Sequence, residues 1–345
     1  MKMNSIFKTS TVSLIFFLLL QGCTKNDLLS SVNDEENDDF FLKEQPTELK
    51  SPMVNVKTYG AVGDGVTNDT KAFQDLIDSL AVNGGGTVYV PRGNYAIDAQ
   101  VSIQLKSGVN IYMKDTLTML SAIPNNLKEY KIISITDADN VKVVGGKIQG
   151  ERNQHTVVDP GHPGEWGMGI GIYGSTHVQI TDLIVADCWG DGIYINSNGE
   201  SGGPSKFILI NHVISRNNRR QGMSILKSIY VHVKNSQFIY TNGTAPQAGI
   251  DIEPNTDTAK KVAIINSEFA YNAGGGIKTW IVKSVPTVIT DVRIQNNNIH
   301  HNGNYGINLS GGNKINATNN TIMYNTYPKI YAVDTTNCVL EPNYY

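Results

Sequence analysis

The chain is poor in charge. Only 17% of its 345 residues are Asp, Glu, Lys or Arg, and 28 basic residues face 31 acidic ones. A net charge of -3 gives none of the basic surface that nucleic acid needs, so a nucleic-acid partner is excluded. Cysteine is scarce as well. Beyond Cys23 only Cys188 and Cys338 occur, far apart in the chain, and they read as two buried thiols. Long hydrophobic runs are missing after residue 20, so no later segment spans a bilayer. What is abundant is glycine (33 residues) and asparagine among β-branched residues, the composition of short strands and many turns.

The first residues read as a targeting segment. Lys2 and Lys8 precede an apolar run from Val12 to Leu20, which has the length of a signal peptide and not of a membrane span. Leu20-Gln21-Gly22-Cys23 resembles a bacterial lipoprotein box. The resemblance implies a signal peptide over residues 1–22 and lipidation of Cys23. It also implies a secreted lipoprotein anchored to the bacterial outer membrane, on its periplasmic or cell-surface side. Residues 23–50, with the acidic run Asn33-Asp34-Glu35-Glu36-Asn37-Asp38-Asp39, read as a flexible tether. The remaining 51–345 form one domain, with 51–100 as N-terminal cap and first coil and 101–345 as further coils.

Internal repetition fixes the fold class. A phrase of Gly, apolar, any, apolar begins at Gly169, Gly192, Gly222, Gly249, Gly276 and Gly306, at spacings of 23, 30, 27, 27 and 30. A second phrase follows each first one, as in Val262-Ile264-Asn266-Phe269-Asn272 and Val292-Ile294-Asn296-Ile299-Asn302. Alternate residues of a strand face opposite sides. One coil cannot bury its inward apolar residues alone, so coils must stack. Asn at a fixed corner tolerates left-handed backbone and bonds to the next Asn in the stack. Gly before each strand is read as permitting a sharp turn. The expected fold is all-β: a right-handed, single-stranded parallel β-helix. Thr67–Leu80 is the one helical passage, with Asn68, Asp69 or Thr70 as N-cap and Ala72, Phe73, Leu76, Ile77 and Leu80 as apolar stripe. It is expected to cap the N-terminal end of the solenoid.

The stretch Val56-Lys57-Thr58-Tyr59-Gly60-Ala61-Val62-Gly63-Asp64-Gly65-Val66-Thr67-Asn68-Asp69-Thr70, followed by Gly84-Gly85-Gly86-Thr87-Val88-Tyr89-Val90-Pro91-Arg92-Gly93-Asn94-Tyr95, resembles the opening of the pectate lyase superfamily. Polygalacturonases and phage tailspikes share that opening. The resemblance implies the β-helix fold and a polysaccharide substrate, while the reaction depends on the site.

Aligned coils place Gly171, Tyr194, Ser224, Asp251, Lys278 and Asn308 in one outward column. Two residues on lie Tyr173, Asn196, Leu226, Glu253, Trp280 and Ser310, and just before each Gly stand Met168, Asp191, Gln221, Ala248, Gly275 and Tyr305. Asp251 and Glu253 thus share one face of a strand, roughly 6.6 Å apart along the backbone. Paired carboxylates about 6.5–9.5 Å apart suit an inverting glycosidase. Asp251 and Glu253 are the candidate acid and base, with Asp191 as a third carboxylate or a mere turn residue. Tyr194, Asn196, Arg219, Arg220, Gln221, Lys278 and Trp280 are the candidate substrate-binding residues. Trp280 offers an apolar platform to a sugar, and the Arg pair either neutralises Asp191 and Asp251 or grips a substrate carboxylate or sulfate. His155, His162 and Glu165, in a Gly/Pro-rich loop from Gln154 to Gly167, read as inert decoration.

The His, Arg and Lys of the polygalacturonase site are replaced here by Gln221, Asp251 and Glu253, and the calcium-binding Asp set of pectate lyases is absent. The leading expectation is therefore a glycoside hydrolase without cofactor or metal. One alternative is a polysaccharide lyase with Lys278, Lys227 or Arg220 as base and calcium held by Asp251 and Glu253. Another is a non-catalytic glycan-binding solenoid.

Overall fold

The computed structural model describes residues 48–156, 165–255, 257–283, 287–327 and 330–345. The expected signal peptide, Cys23, most of the expected tether and His162 lie outside them. Within them, 28 strands form two parallel sheets, one of 18 strands and one of 10. A full coil contributes three strands. One strip contains Trp166–Tyr173, Ile193–Asn196, Met223–Ile225, Ile250–Ile252 and Ile277–Trp280. The second strip of the same sheet contains Thr176–Thr181, Ser205–Asn211, Ser228–Lys234, Thr258–Ile265 and Val288–Gln295. The ten short strands, such as Ile184–Ala186 and Ile214–Arg216, form the third side. The fold is a right-handed parallel β-helix.

Each strand turns alternate residues inward, and the columns Ile170–Ile193–Met223–Ile250–Ile277 and Ile172–Ile195–Ile225–Ile252 are fully buried. Every coil is thereby useless alone and stable only against its neighbours, the energetic logic of a solenoid. Cys188 and Cys338 are both buried in this core.

Asparagine divides two tasks that the sequence reading had joined. Asn235, Asn266, Asn296 and Asn319 hold the left-handed corners, with φ from 50° to 58°. Different residues form the inner ladders. Asn272 Nδ2 donates to Asn302 Oδ1 at 2.9 Å and Asn302 Nδ2 to Asn325 Oδ1 at 2.8 Å. Asn297, Asn320 and Asn343 form a second ladder at 3.0 Å per step.

The repeated glycine also has another cause than the expected turn. Gly249 does not adopt a positive φ; a Cβ there would lie 2.6 Å from the Gly276 carbonyl oxygen of the next coil. The glycine column exists because coils touch backbone to backbone at this line.

The helix runs over Thr70–Val82, starting later than expected. Asp64–Asn68 pairs instead as a strand with Gly93–Ile97. The Asp69 carboxylate accepts from the amides of Val62 and Gly63 at 2.7 and 3.1 Å, and does not cap the helix. Phe73, Leu76, Ile77 and Leu80 are buried as the stripe predicted, against the strands Gly86–Val90 and Ile103–Leu105. At the other boundary the chain already touches the coils at residue 48, where the Glu48 carbonyl accepts from Lys142 Nζ at 2.8 Å, so residues 48–50 belong to the body and not to the tether. Among the described residues no helix is long and apolar enough to cross a membrane.

Candidate functional site

The outward column is in the expected register: Gly171, Tyr194, Ser224, Asp251, Lys278 and Asn308 are successive partners across the coils. Its middle is not a solvated face, however. Asp191, Gln221, Ser224 and Asp251 are at most 2% exposed. Tyr194, Met168 and Leu226 form a small apolar cluster over them, with Trp166 and Tyr173 packed against it.

A hydrogen-bonded network runs through this layer. Ser224 Oγ donates to Asp191 Oδ2 at 2.7 Å, and Arg220 Nη1 donates to the same oxygen at 3.1 Å. The other side of the guanidinium reaches Glu253 at 4.0 Å. Asp251 Oδ2 accepts from Gln221 Nε2 at 3.0 Å and from Lys278 Nζ at 3.2 Å. Asp191 Oδ1 and Asp251 Oδ1 are buried and take no hydrogen bond among the described residues.

Burial pushes the Asp191 carboxyl up to about 6, against the pull of Arg220 and the Ser224 hydroxyl. Glu253 is also raised, first by burial and then by the charge of its neighbour Asp251, whose carboxylate also hydrogen-bonds to it.

Glu253 opens onto a cavity of about 220 Å³ lined by Glu165, Trp166, Tyr194, Arg220, Ser224, Leu226 and Asn255. A second cavity of about 340 Å³ continues along the same face and shares Trp166 and Tyr194 as its wall. Asn196 lines that second cavity, beside Glu129, Lys131 and Tyr173.

Several expected roles change. Gln221 is fully buried, its amide oxygen taken by the Ala248 amide, so it orients Asp251 and does not meet substrate. Arg219 lies elsewhere: its Nε donates to Thr244 Oγ1 and its guanidinium sits 4.0 Å over the Trp189 ring. Trp280 is 43% exposed beside Lys278 and lines neither cavity. Asp191 is a buried member of the network and not a surface turn. Calcium fits poorly at Asp251 and Glu253, because Lys278 and Arg220 already bring positive charge there.

The loop expected to be inert supplies structure. His155 stacks on Trp189 at 4.1 Å, and its Nδ1 lies 3.1 Å from Glu151, which also accepts from the Tyr130 hydroxyl. Glu165 and Trp166 then line the cavity. They stand at the very start of the strand Trp166–Tyr173, just before the Gly-led phrase, where the repeat pattern marks no position.

Among families, the model described as rhamnogalacturonase A/epimerase, pectate lyase-like, matches residues 53–117, and the right-handed β-helix region matches 232–345. An uncharacterised protein of Bacillus subtilis strain 168, YclG, is 29% identical over 66% of this chain and 43% of its own length. The mannuronan C5-epimerase AlgE2 of Azotobacter vinelandii is 28% identical over 55% of this chain and 22% of its own. The chain thus spans about half or less of the length of these curated relatives. Among solved structures, the A-module of mannuronan C5-epimerase AlgE6 from the same organism superposes with a TM-score of 0.58 at 18% identity, covering 81% of this chain and 78% of that one. At that identity the likeness concerns the fold. The chain folds as a right-handed parallel β-helix, and its residues 53–117 are similar to a pectate lyase-like family.

Proposed function

We propose that this protein hydrolyses a glycan, with Glu253 as proton donor. The observation that carries this reading is a carboxyl group whose pKa is raised by burial and by Asp251, yet which opens onto a cavity with aromatic walls. An acid of raised pKa is suited to give its proton to a leaving oxygen. Asp251, fixed by Gln221 and Lys278, favours the proton on Glu253, since two neighbouring carboxyls resist double ionisation. Glu165, across the cavity, is the second accessible carboxylate and takes the role of base toward water that Asp251 is too buried to fill. Trp166 and Tyr194 offer apolar faces to the C–H side of a sugar.

The similarity to mannuronan C5-epimerases favours a second reading, proton abstraction from a uronate. Assays of polysaccharides for new reducing ends, for the ultraviolet absorbance of unsaturated uronides and for exchange of the uronate C5 hydrogen with deuterated solvent separate the two, because epimerisation gives only the exchange. Hydrolysis predicts reducing ends without absorbance, and a loss of about 10²–10⁴-fold in Glu253→Gln. Absorbance rising with the reducing ends, or full activity in Glu253→Gln, would sink the hydrolytic reading.

A further inference from the structure

Among the described residues, Arg220 is the only cation lining the cavity beside Glu253. Its guanidinium is 3.1 Å from Asp191 and 4.0 Å from Glu253, and Asp251 and Glu165 act on it as well. Lys278, the next cation along the face, is 3.2 Å from Asp251. With Glu253 carrying its proton, Asp191, Asp251 and Glu165 stand against these two cations, an excess of one acid among the described residues. The adjoining cavity does not redress this balance, for its Lys131 is paired with Glu129 at 2.8 Å.

A uronate or sulfate ester is held by a free guanidinium fork or an uncommitted ammonium. To reach Arg220, whose Nη1 already serves Asp191, such a group would have to come up against the side that faces Glu253, in a cavity also lined by Glu165, and its charge would stand against that of Glu165. The rest of the surface invites the opposite kind of ligand. Trp166, Tyr173 and Tyr194 present ring surface, and Ser224, Asn196 and the carboxylates offer partners to hydroxyl groups. We infer that the paired cavities take an uncharged glycan and exclude polyuronates and sulfated polymers, in contrast to the mannuronan named for the relatives. The inference rests on the glycan reading above, but not on hydrolysis.

The test is retention of the full chain during native electrophoresis through gels containing one polysaccharide each, at pH 7 and low salt. Neutral glucan, mannan, galactan and xylan are compared with polygalacturonate and alginate, using Glu253→Gln so that turnover does not consume the matrix. Retention by at least one neutral polymer and by neither polyuronate is expected. Retention by a polyuronate, or by no polymer, overturns the inference. Adding Glu165→Gln to Glu253→Gln then removes the charged carboxylate that lines the cavity and is expected to gain roughly tenfold in polyuronate affinity. An unchanged affinity would show that charge is not the selector. Retention on a neutral glycan that the native chain never cleaves would instead remove the hydrolytic reading and leave this one standing.

Discussion

Gln221 Nε2 donates to Asp251 Oδ2 at 3.0 Å although 30 residues separate them, because the coil register sets Ser224 against Asp251 and so brings the Gln221 side chain within reach of it. The same Gln accepts from the Ala248 amide at 3.0 Å. A single fully buried side chain thus holds both a backbone amide and the carboxylate of the next coil.

Gln221→Leu keeps the volume and removes both bonds. One buried amide and one carboxylate oxygen lose a partner, so unfolding free energy is expected to fall by about 1–3 kcal/mol. Urea denaturation measures this. Activity should also fall, since Asp251 is no longer held against Glu253; unaltered stability and turnover would mean that Gln221 orients nothing.

Asp191 sets a pH dependence of stability. Its carboxyl is raised to about 6 in the fold by burial, while Arg220, Ser224 and the more distant Asp251 face it. The folded state therefore holds the proton more tightly than the unfolded chain does. The stabilisation is complete below the unfolded carboxyl's range, near pH 4, and is lost as pH rises through about 6. Between pH 4 and 8 the native chain should lose on the order of 2 kcal/mol that Asp191→Asn does not lose. Melting curves of the two chains across that range decide the matter, and parallel pH profiles would contradict it.

The two asparagine classes predict unequal costs. Asn302 accepts from the Asn272 amide and side chain at 3.2 and 2.9 Å and donates to Phe269 O and Asn325 Oδ1 at 2.9 and 2.8 Å. Asn302→Ala strands several buried groups and should cost at least about 2 kcal/mol. Asn296 sits at φ 57°, where Ala meets a penalty of about 1–2 kcal/mol and Gly meets almost none. Asn296→Gly should therefore be nearly neutral in the same denaturation experiment, while Asn302→Ala should be plainly destabilising. Equal costs would dissolve the division of tasks.

The coil phase was legible because it is a property of period. Residues that recur at the same step must fall in one column whatever their chemistry, so the line from Gly171 to Asn308 followed from the sequence. The apolar stripe of the helix followed for the same reason. Burial was not legible. An outward-pointing Asp251 reads as solvated, but it is 1% exposed between Gln221 and Lys278 of the adjoining coils.

The sequence by itself determined the solenoid, its register and which side chains share a face, since alternation and repeat length are local and additive. Only the tertiary structure decided which carboxyls are neighbours, which one reaches a cavity, and that Arg219 and Arg220 part company toward Trp189 and Asp191. Those outcomes depend on side-chain direction, which obeys no period. Electrostatic environment is set by three-dimensional neighbours and not by neighbours in the chain.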